Sequence, residues 1–272
     1  MQARMPDLPQ ADIAALRLCA IVPVYDHALP LPGVLDGLRA AGLPVFVVDD
    51  GSGPACARTI EACVAADASR VLVRLERNGG KGAAVQAGFA AAHAAGFSHA
   101  LQVDADGQHD LAALPALVAA AREAPRALVS GRPQYDASVP KSRLYGRYAT
   151  HVWVWINTLS LDIVDSMCGF RIYPLGASIA ACTRWRIGRR MDFDTDLMLR
   201  MYWLGVPMRF VPVPVRYPAD GVSHFDVLRD NLRLTSMHTR HFLHLLWRLA
   251  TLRPRPDRFV GVPAPAIPAR AP

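Results

Sequence analysis

Lysine is almost missing from this chain. Of 30 basic residues in 272, only Lys81 and Lys141 are lysine, against 28 arginines, so a lysine inside a motif stands out. Five cysteines (Cys19, Cys56, Cys63, Cys168, Cys182) are odd in number and form no C-x-x-C pair, which argues against a disulfide framework or a zinc site. The longest apolar runs, such as Val152–Ile156 and Leu245–Trp247, fall far short of the ~20 residues of a membrane span. The first 17 residues carry acids and prolines where a signal peptide has its apolar centre, so a cytoplasmic protein is expected. No internal repeat is visible. What is present is an apolar globular composition, 52% hydrophobic with mean hydropathy +0.16, long enough for a sizeable core. The net charge is +7, and Phe225–Pro272 holds eight Arg and three Asp, or +5 of it. That concentration points to an anionic surface. Base-stacking aromatics are not interleaved with the arginines, so a membrane surface is expected and nucleic acid is not.

Through the first half, short β-type runs alternate with helical patterns: "LCAIVPV", "VFVVDD", "VLVRL", "HALQV" and "ALVSG" separated by helices near 31–41, 54–66, 82–95 and 111–123. Alternation of this kind predicts an α/β fold with a mainly parallel sheet and helices on both faces. Ligands bind such sheets at the strands' carboxyl ends. The distinctive polar residues sit there: Tyr25-Asp26, Asp49-Asp50 and Asp104-Asp106. The second half is less regular, with an aromatic helix over 142–161, a strand at "FRIYP", a helix after "MDFDTD", proline-punctuated strand at 206–217 and a long helix over 225–252. Expected boundaries are an N-terminal extension 1–17, a catalytic domain 18–224, an amphipathic helix 225–253 and a tail 254–272 with six prolines, expected to be disordered.

"DADGQH" (104–109) aims two carboxylates, two residues apart, at one place if it continues a strand. Like charges need a cation between them. The segment is not an EF-hand loop, since His109 stands where the glycine belongs and Pro115 where the bidentate glutamate belongs. "GSGPAC" and "GKGAAV" lack the third glycine of a dinucleotide fingerprint, and "NGGKGA" lacks the spacing of a P-loop. A hard-cation site for Mg²⁺ or Mn²⁺ remains, two carboxylates and an amide oxygen with room for phosphate.

"IVPVYD", "VVDDGS", "NGGKGAAVQAG", "DADGQHD", "CGFRIYP" and "FDTDLMLRMYWLGVPMRFVPVPV" follow one another in an order that resembles family 2 glycosyltransferases, most of all the dolichyl-phosphate mannose synthase-like branch. The resemblance spans roughly Cys19 to Phe225. It implies a GT-A fold and inverting transfer of a sugar from a UDP- or GDP-sugar. It implies that Asp104 and Asp106 hold the metal, with Gln108 as a further ligand. Pro23, Val24, Tyr25 and Asp26 then line the nucleoside pocket, Asp49 and Asp50 hold base and ribose, and Lys81 and Ala105 lie beside the nucleotide. Asp194 aligns with the family's catalytic base, with Asp196 as second choice. Relatives acting on polyprenyl phosphates carry R-x-x-G-x-S-K. Here "RYPADGVSHF" displaces Arg216 and puts His224, after Ser223, in the lysine position. The expected acceptor is therefore a lipid-linked or hydrophobic hydroxyl, with polyprenyl phosphate as the alternative and an inactive nucleotide-sugar-binding module as a second. An enzyme peripheral on the inner face of the cytoplasmic membrane is expected.

Overall fold

The computed structural model describes residues 16–134, 141–214 and 227–251. The expected acceptor-side residues Arg216, Ser223 and His224, the extension before residue 16 and the tail 254–272 lie outside the described residues.

Four strands form the first half of the sheet: β1 (Leu18–Val24), β2 (Val45–Asp49), β3 (Arg70–Arg74) and β4 (His99–Gln102). Helices α1 (Leu31–Ala40), α2 (Pro54–Ala65) and α3 (Lys81–Ala94) connect them. All neighbours among these strands are parallel, because helical crossovers return the chain to the same edge. β1 shows why its sequence is a continuous apolar run. Cys19 and Ile21 enter the core on one face and Leu18, Ala20, Val22 and Val24 the core on the other, so both pleat faces are covered. α1, α2 and α4 (Leu114–Glu123) cover one face through Leu35, Ile60 and Leu117. On the other face lie α3, α6 (Leu175–Arg184) and α7 (Phe193–Trp203), with Phe89, Ala181 and Leu197 in the core.

The second half holds an antiparallel strand within the mainly parallel sheet that the sequence predicts. The sheet order is β3-β2-β1-β4-β6-β5-β7, where β5 is Leu128–Gln134, β6 is Arg171–Pro174 and β7 is Met208–Pro214. β6 runs antiparallel to both β4 and β5, while β5 and β7 are parallel. Reversal of one strand has a direct consequence. The amino end of β6 lies against the carboxyl end of β4, with Gln102 opposite Arg171, so Cys168-Gly169-Phe170 arrives at the edge where Asp104 emerges. Helix α6 had no counterpart in the sequence reading. α5 (Lys141–Thr158) and α8 (Val227–Ala250) pack together, α8 seating Leu234, Met237 and Leu245 inward.

Candidate active site

β4 ends at Gln102, and residues 105–107 form a turn closed by Gly107 at φ +72°. Strand alternation therefore does not align Asp104 and Asp106, which corrects that part of the sequence reading. Asp106 instead accepts from the Gln108 amide at 2.9 Å, a local turn of the kind aspartate favours. Asp104 faces Lys81, whose Nζ lies 2.8 Å from Oδ1 and 2.9 Å from Oδ2. Only the contact with Oδ2 is aligned as a hydrogen bond, and Oδ1 is a buried oxygen without one. Burial alone would lower the Lys81 pKa, but Asp104 and Asp194 outweigh it and hold the ammonium above the usual lysine range. Asp104, which burial would push up, is held below the usual carboxylate range by Lys81 and then by His109.

Asp194 completes this cluster from α7. Its Oδ2 lies 3.1 Å from Lys81 Nζ, and its Oδ1 accepts from the buried Gln102 amide at 3.0 Å. Beneath it the fully buried Arg171 donates to the Asp194 carbonyl at 2.6 Å and to the Ser166 carbonyl at 2.6 Å, its Nη1 4.0 Å from Asp194 Oδ1. Two cations thus face two carboxylates, the balance that buried charge requires.

Glycines explain how the pieces come so close. Gly80 has φ +93°, and a Cβ there would lie 2.5 Å from the Arg189 carbonyl oxygen. The "GGK" turn is therefore a packing junction with the 188–190 segment, delivering Lys81 as the first residue of α3. A Cβ on Gly169 would stand 2.7 Å from Lys81 Nζ, 3.0 Å from Asp104 Oδ2 and 3.1 Å from Gln102 Nε2. A side chain between β6 and the ion pair fits only if the Lys81 ammonium moves aside.

The other expected residues separate. Tyr25 and Asp26 are exposed at the mouth beside β1, with Pro23 and Val24 leading to them. Asp26 takes a left-handed φ of 46°, unusual outside glycine. It is held there by its amide donating to Ser52 Oγ at 3.0 Å and its carboxylate accepting from the Gly53 amide at 2.7 Å. Asp49 and Asp50, expected to face ribose and base, are buried and already occupied. Asp49 accepts from the Ser52 amide and from Arg74 Nε, each at 2.9 Å. Asp50 accepts from Asn78 Nδ2, the Gly79 amide and the Gly80 amide. Their shown work is to fix the two loops that frame the mouth. Ala105 is buried behind the Asp104 turn. Asp196, two residues after Asp194, points away from this cluster and meets His241 at 2.7 Å.

His109, named from the sequence in excluding an EF-hand loop but not as a site residue, also meets this cluster. It stacks on Phe170 with centroids 5.1 Å apart and places Nε2 3.4 Å from Asp104 Oδ2. Gln102, Gly169 and Arg171 were also not singled out; the order "CGFRIYP" contains two of them, but only the antiparallel pairing shows their use. For a divalent cation, the donors at hand are the Asp104 and Asp106 carboxylates and the Gln108 amide. Among the described residues no cluster of three or more His, Cys, Asp or Glu forms a protein cage. Magnesium commonly takes one or two carboxylates plus substrate phosphates and water, and the all-oxygen set with a buried, unaligned Asp104 Oδ1 fits that pattern. A separate groove lined by Leu18, Leu43, Leu114, Val118 and Arg122 shares none of these side chains.

A mostly parallel sheet whose carboxyl edge gathers a D-x-D turn, a lysine and a helix-borne aspartate defines a glycosyltransferase of the GT-A type. Residues 19–176 match the family described as Glycosyl transferase family 2, and the chain belongs to that family. It is 30% identical over 207 residues to an undecaprenyl-phosphate mannosyltransferase of Micrococcus luteus, covering 74% of this chain and 84% of the relative. It is 28% identical over 229 residues to a dolichyl-phosphate beta-glucosyltransferase of Drosophila melanogaster, covering 74% and 68%. Among solved structures it resembles a mannosyltransferase from Pyrobaculum calidifontis in complex with GDP-Man and Mn²⁺, with TM-score 0.57, 14% identity and coverage of 87% of this chain and 66% of that one. A glucosyl-3-phosphoglycerate synthase from Mycobacterium tuberculosis gives TM-score 0.54 and 16% identity, with 90% and 86% covered. At such identity the structural likeness speaks for the fold alone.

Proposed function

We propose that this glycosyltransferase moves a sugar from a nucleotide-diphospho-sugar to a polyprenyl phosphate, with inversion, at the edge formed by Asp104, Lys81 and Asp194. The observation that carries the choice of acceptor is the state of Asp194. Both of its oxygens already receive protein donors, one from Lys81 and one from Gln102. A hydroxyl acceptor must lose a proton to a positioned base, whereas a phosphate arrives ionised and needs none. The names of the Micrococcus and Drosophila relatives agree with a polyprenyl phosphate, so the second of the two acceptors weighed from the sequence is preferred here.

In this reading the nucleoside rests at the Pro23–Asp26 loop and the diphosphate lies towards Lys81. Asp104, Asp106 and Gln108 would hold Mg²⁺ or Mn²⁺, which when bound would supply positive charge for the leaving diphosphate. The acceptor phosphate oxygen attacks the anomeric carbon from the face opposite the leaving group. The new C–O bond forms as the bond to the donor diphosphate breaks, and the electron pair leaves with the nucleoside diphosphate. Lys81 is placed to share that charge. Asp194 and Gln102 keep the ammonium in register, and Arg171 balances the carboxylates from below.

Among the described residues no helix is long and apolar enough to cross a membrane. A peripheral attachment is supported by the outer sides of α5 and α8. Trp153, Ile156, Leu243, Leu246, Trp247 and Leu249 are exposed there, and Trp153 meets Phe242 edge-on at 6.1 Å, so the two helices' apolar faces adjoin. Such a face, edged by arginine, suits an interfacial position.

The test is a panel of UDP- and GDP-sugars with two acceptors that differ only in the head, polyprenyl phosphate and polyprenol. Transfer to the phosphate and not to the alcohol is expected. Preferential glycosylation of polyprenol would restore a hydroxyl acceptor and return Asp194 to the role of base.

A further inference from the structure

A cluster of buried titratable groups that the proposed chemistry does not use surrounds Asp196. This carboxylate is sealed, its side chain 1% exposed. Oδ1 accepts from His241 Nε2 at 2.7 Å, and Oδ2 accepts from the Gly188 amide at 2.9 Å. Arg200 and Arg240 stand further off, at 3.6 and 3.7 Å. A carboxylate only accepts, so the His241 proton sits on Nε2. Burial holds His241 below the usual histidine range, so the contact is a neutral imidazole donating to a charged acceptor, directional and dependent on placement.

His241 belongs to α8, the helix whose outer side is apolar and exposed. One turn earlier, His238 accepts from Asn157 Nδ2 of α5 at 3.1 Å and stacks on Trp153, centroids 6.2 Å apart. The inner face of α8 therefore grips α5 at His238 and α7 at His241. From Asp196 two short routes lead to the donor site. Along α7, Asp194 is two residues away and touches Lys81. Through Gly188, the 188–190 segment reaches the start of α3. There the Arg189 carbonyl accepts from the Ala83 amide at 3.2 Å, and Arg190 donates to Asn78 at 3.1 Å. Both halves of the Lys81–Asp194 pair are thus located from Asp196.

We infer that His241 is a positioning residue for sugar transfer. Its bond to Asp196 ties the exposed apolar helix to the Lys81–Asp194 pair, so that seating of α8 on an anionic lipid surface is transmitted to the donor site. The inference rests on the proposed function for what is transferred, but not for the coupling itself.

Two variants and two readouts separate the outcomes. His241→Leu keeps bulk without a donor; His241→Gln keeps an N–H that can reach Asp196. His241→Leu is expected to lower kcat by about 10- to 100-fold, the scale of a misplacement away from the chemistry, with the KM for donor little changed. His241→Gln should recover most of the loss. Amide hydrogen exchange needs no acceptor and tests the coupling alone. His241→Leu should speed exchange at 188–190 and 80–83 while leaving β1 and β2 unchanged. Vesicles of anionic phospholipid should slow exchange at those two segments in the unsubstituted protein, and fail to do so in His241→Leu. Near-normal turnover in His241→Leu would overturn the inference. So would equal losses in both variants that track melting temperature, or exchange that quickens evenly over the chain. If His241→Leu does not fold, His241→Asn, whose amide is too short for the 2.7 Å contact, takes its place with the same localised pattern expected. If the unsubstituted protein transfers sugar to neither lipid, the acceptor assignment fails while the exchange pattern still decides the coupling.

Discussion

Asp194 and Asp196 stand two residues apart in the first turn of α7, yet they belong to different regions. Around Asp194 the side chains keep some access to solvent: 20% for Lys81, 26% for Asp104 and 10% for Asp194. Around Asp196 access is gone, with 1% each for Asp196 and His241. In the first region charge is balanced by a long, flexible ammonium that can turn from carboxylate to phosphate. In the second the carboxylate is held by a neutral ring and a backbone amide, both sealed from solvent, with two guanidinium groups further off, of which Arg240 is exposed. One helix thus carries one carboxylate in the proposed donor site and one in the sealed contact with α8. Neither acid acts as the N-cap, since Asp192 holds that position, its side chain accepting from the Arg190 amide and not from the helix.

The contrast is broken most severely at Asp104. Asn at this position removes the proposed metal ligand and the main partner of Lys81. Loss of several kcal/mol of charge stabilisation is the scale of metal assistance, and turnover is expected to fall by about 1,000-fold. Mn²⁺ with UDP or GDP is expected to stabilise the unsubstituted protein by about 2.7 kcal/mol at a hundredfold excess over Kd, read as a rise in melting temperature, and the same variant should abolish that rise. An unchanged shift in Asp104→Asn, or one that survives EDTA in the unsubstituted protein, would remove the metal from this site. Gly169→Ala comes next. The added methyl displaces Lys81 before anything else, because the ammonium is the flexible neighbour at 2.7 Å. Turnover should drop by about 10- to 100-fold with folding largely intact, and a normal rate would show that Lys81 need not stay where it is seen.

Much of the first region was legible because parallel β/α units place their loops at one edge, and acids at strand ends could be read from one-dimensional spacing. Lys81 stood out by the rarity of its type. Less legible was the difference between presenting a carboxylate and using it as a clamp. Asp49 and Asp50 look alike in sequence to ligand acids, and only their donors, Arg74, Ser52 and the Asn78–Gly80 turn, show what they hold. The second region was nearly opaque. Antiparallel β6 brings Arg171 beside Gln102 across 69 positions, and α8 brings His241 to Asp196 across 45. No local period encodes such meetings. The sequence predicts an amphipathic helix over 225–253, and the structure divides its apolar residues: Leu245 packs inward while Leu246, Trp247 and Leu249 remain outside.

That division leads to a smaller effect. Trp247→Glu puts a charge on the outer side of α8 without touching the inner one. It should weaken sedimentation with anionic vesicles by about tenfold, the order expected from losing one buried apolar side chain, and leave donor binding as it was. Equal weakening of donor binding would mean that the outer face packs on the protein and not on lipid.

The mildest test sets the sealed region against the open one through pH. His238 is pulled down to about 4 by burial and by its neighbour His241, and His241 is lowered by burial as well. A histidine whose folded pKa lies below its unfolded value of ~6.5 takes up its proton more readily in the unfolded chain. Its contribution to stability is complete above pH 6.5 and is lost as pH falls from 6.5 towards 4. For His238 alone the limit is on the order of 3 kcal/mol, at 1.36 kcal/mol per pH unit. Asp196 acts in the same direction but later, because its folded pKa is also lowered, against burial, by His241; its share is lost only below the ordinary aspartate range. Denaturant unfolding at pH 7.5, 6 and 5 should therefore show stability falling across all three points. His99, His151 and His244 are also lowered, chiefly by burial, so the slope by itself does not identify the cluster. His238→Gln should flatten part of it, since the amide can replace the contact with Asn157 without titrating. A slope identical in His238→Gln would place the acid sensitivity at the other lowered histidines, His99, His151, His241 or His244, and the His238 contact between α5 and α8 would then be indifferent to pH.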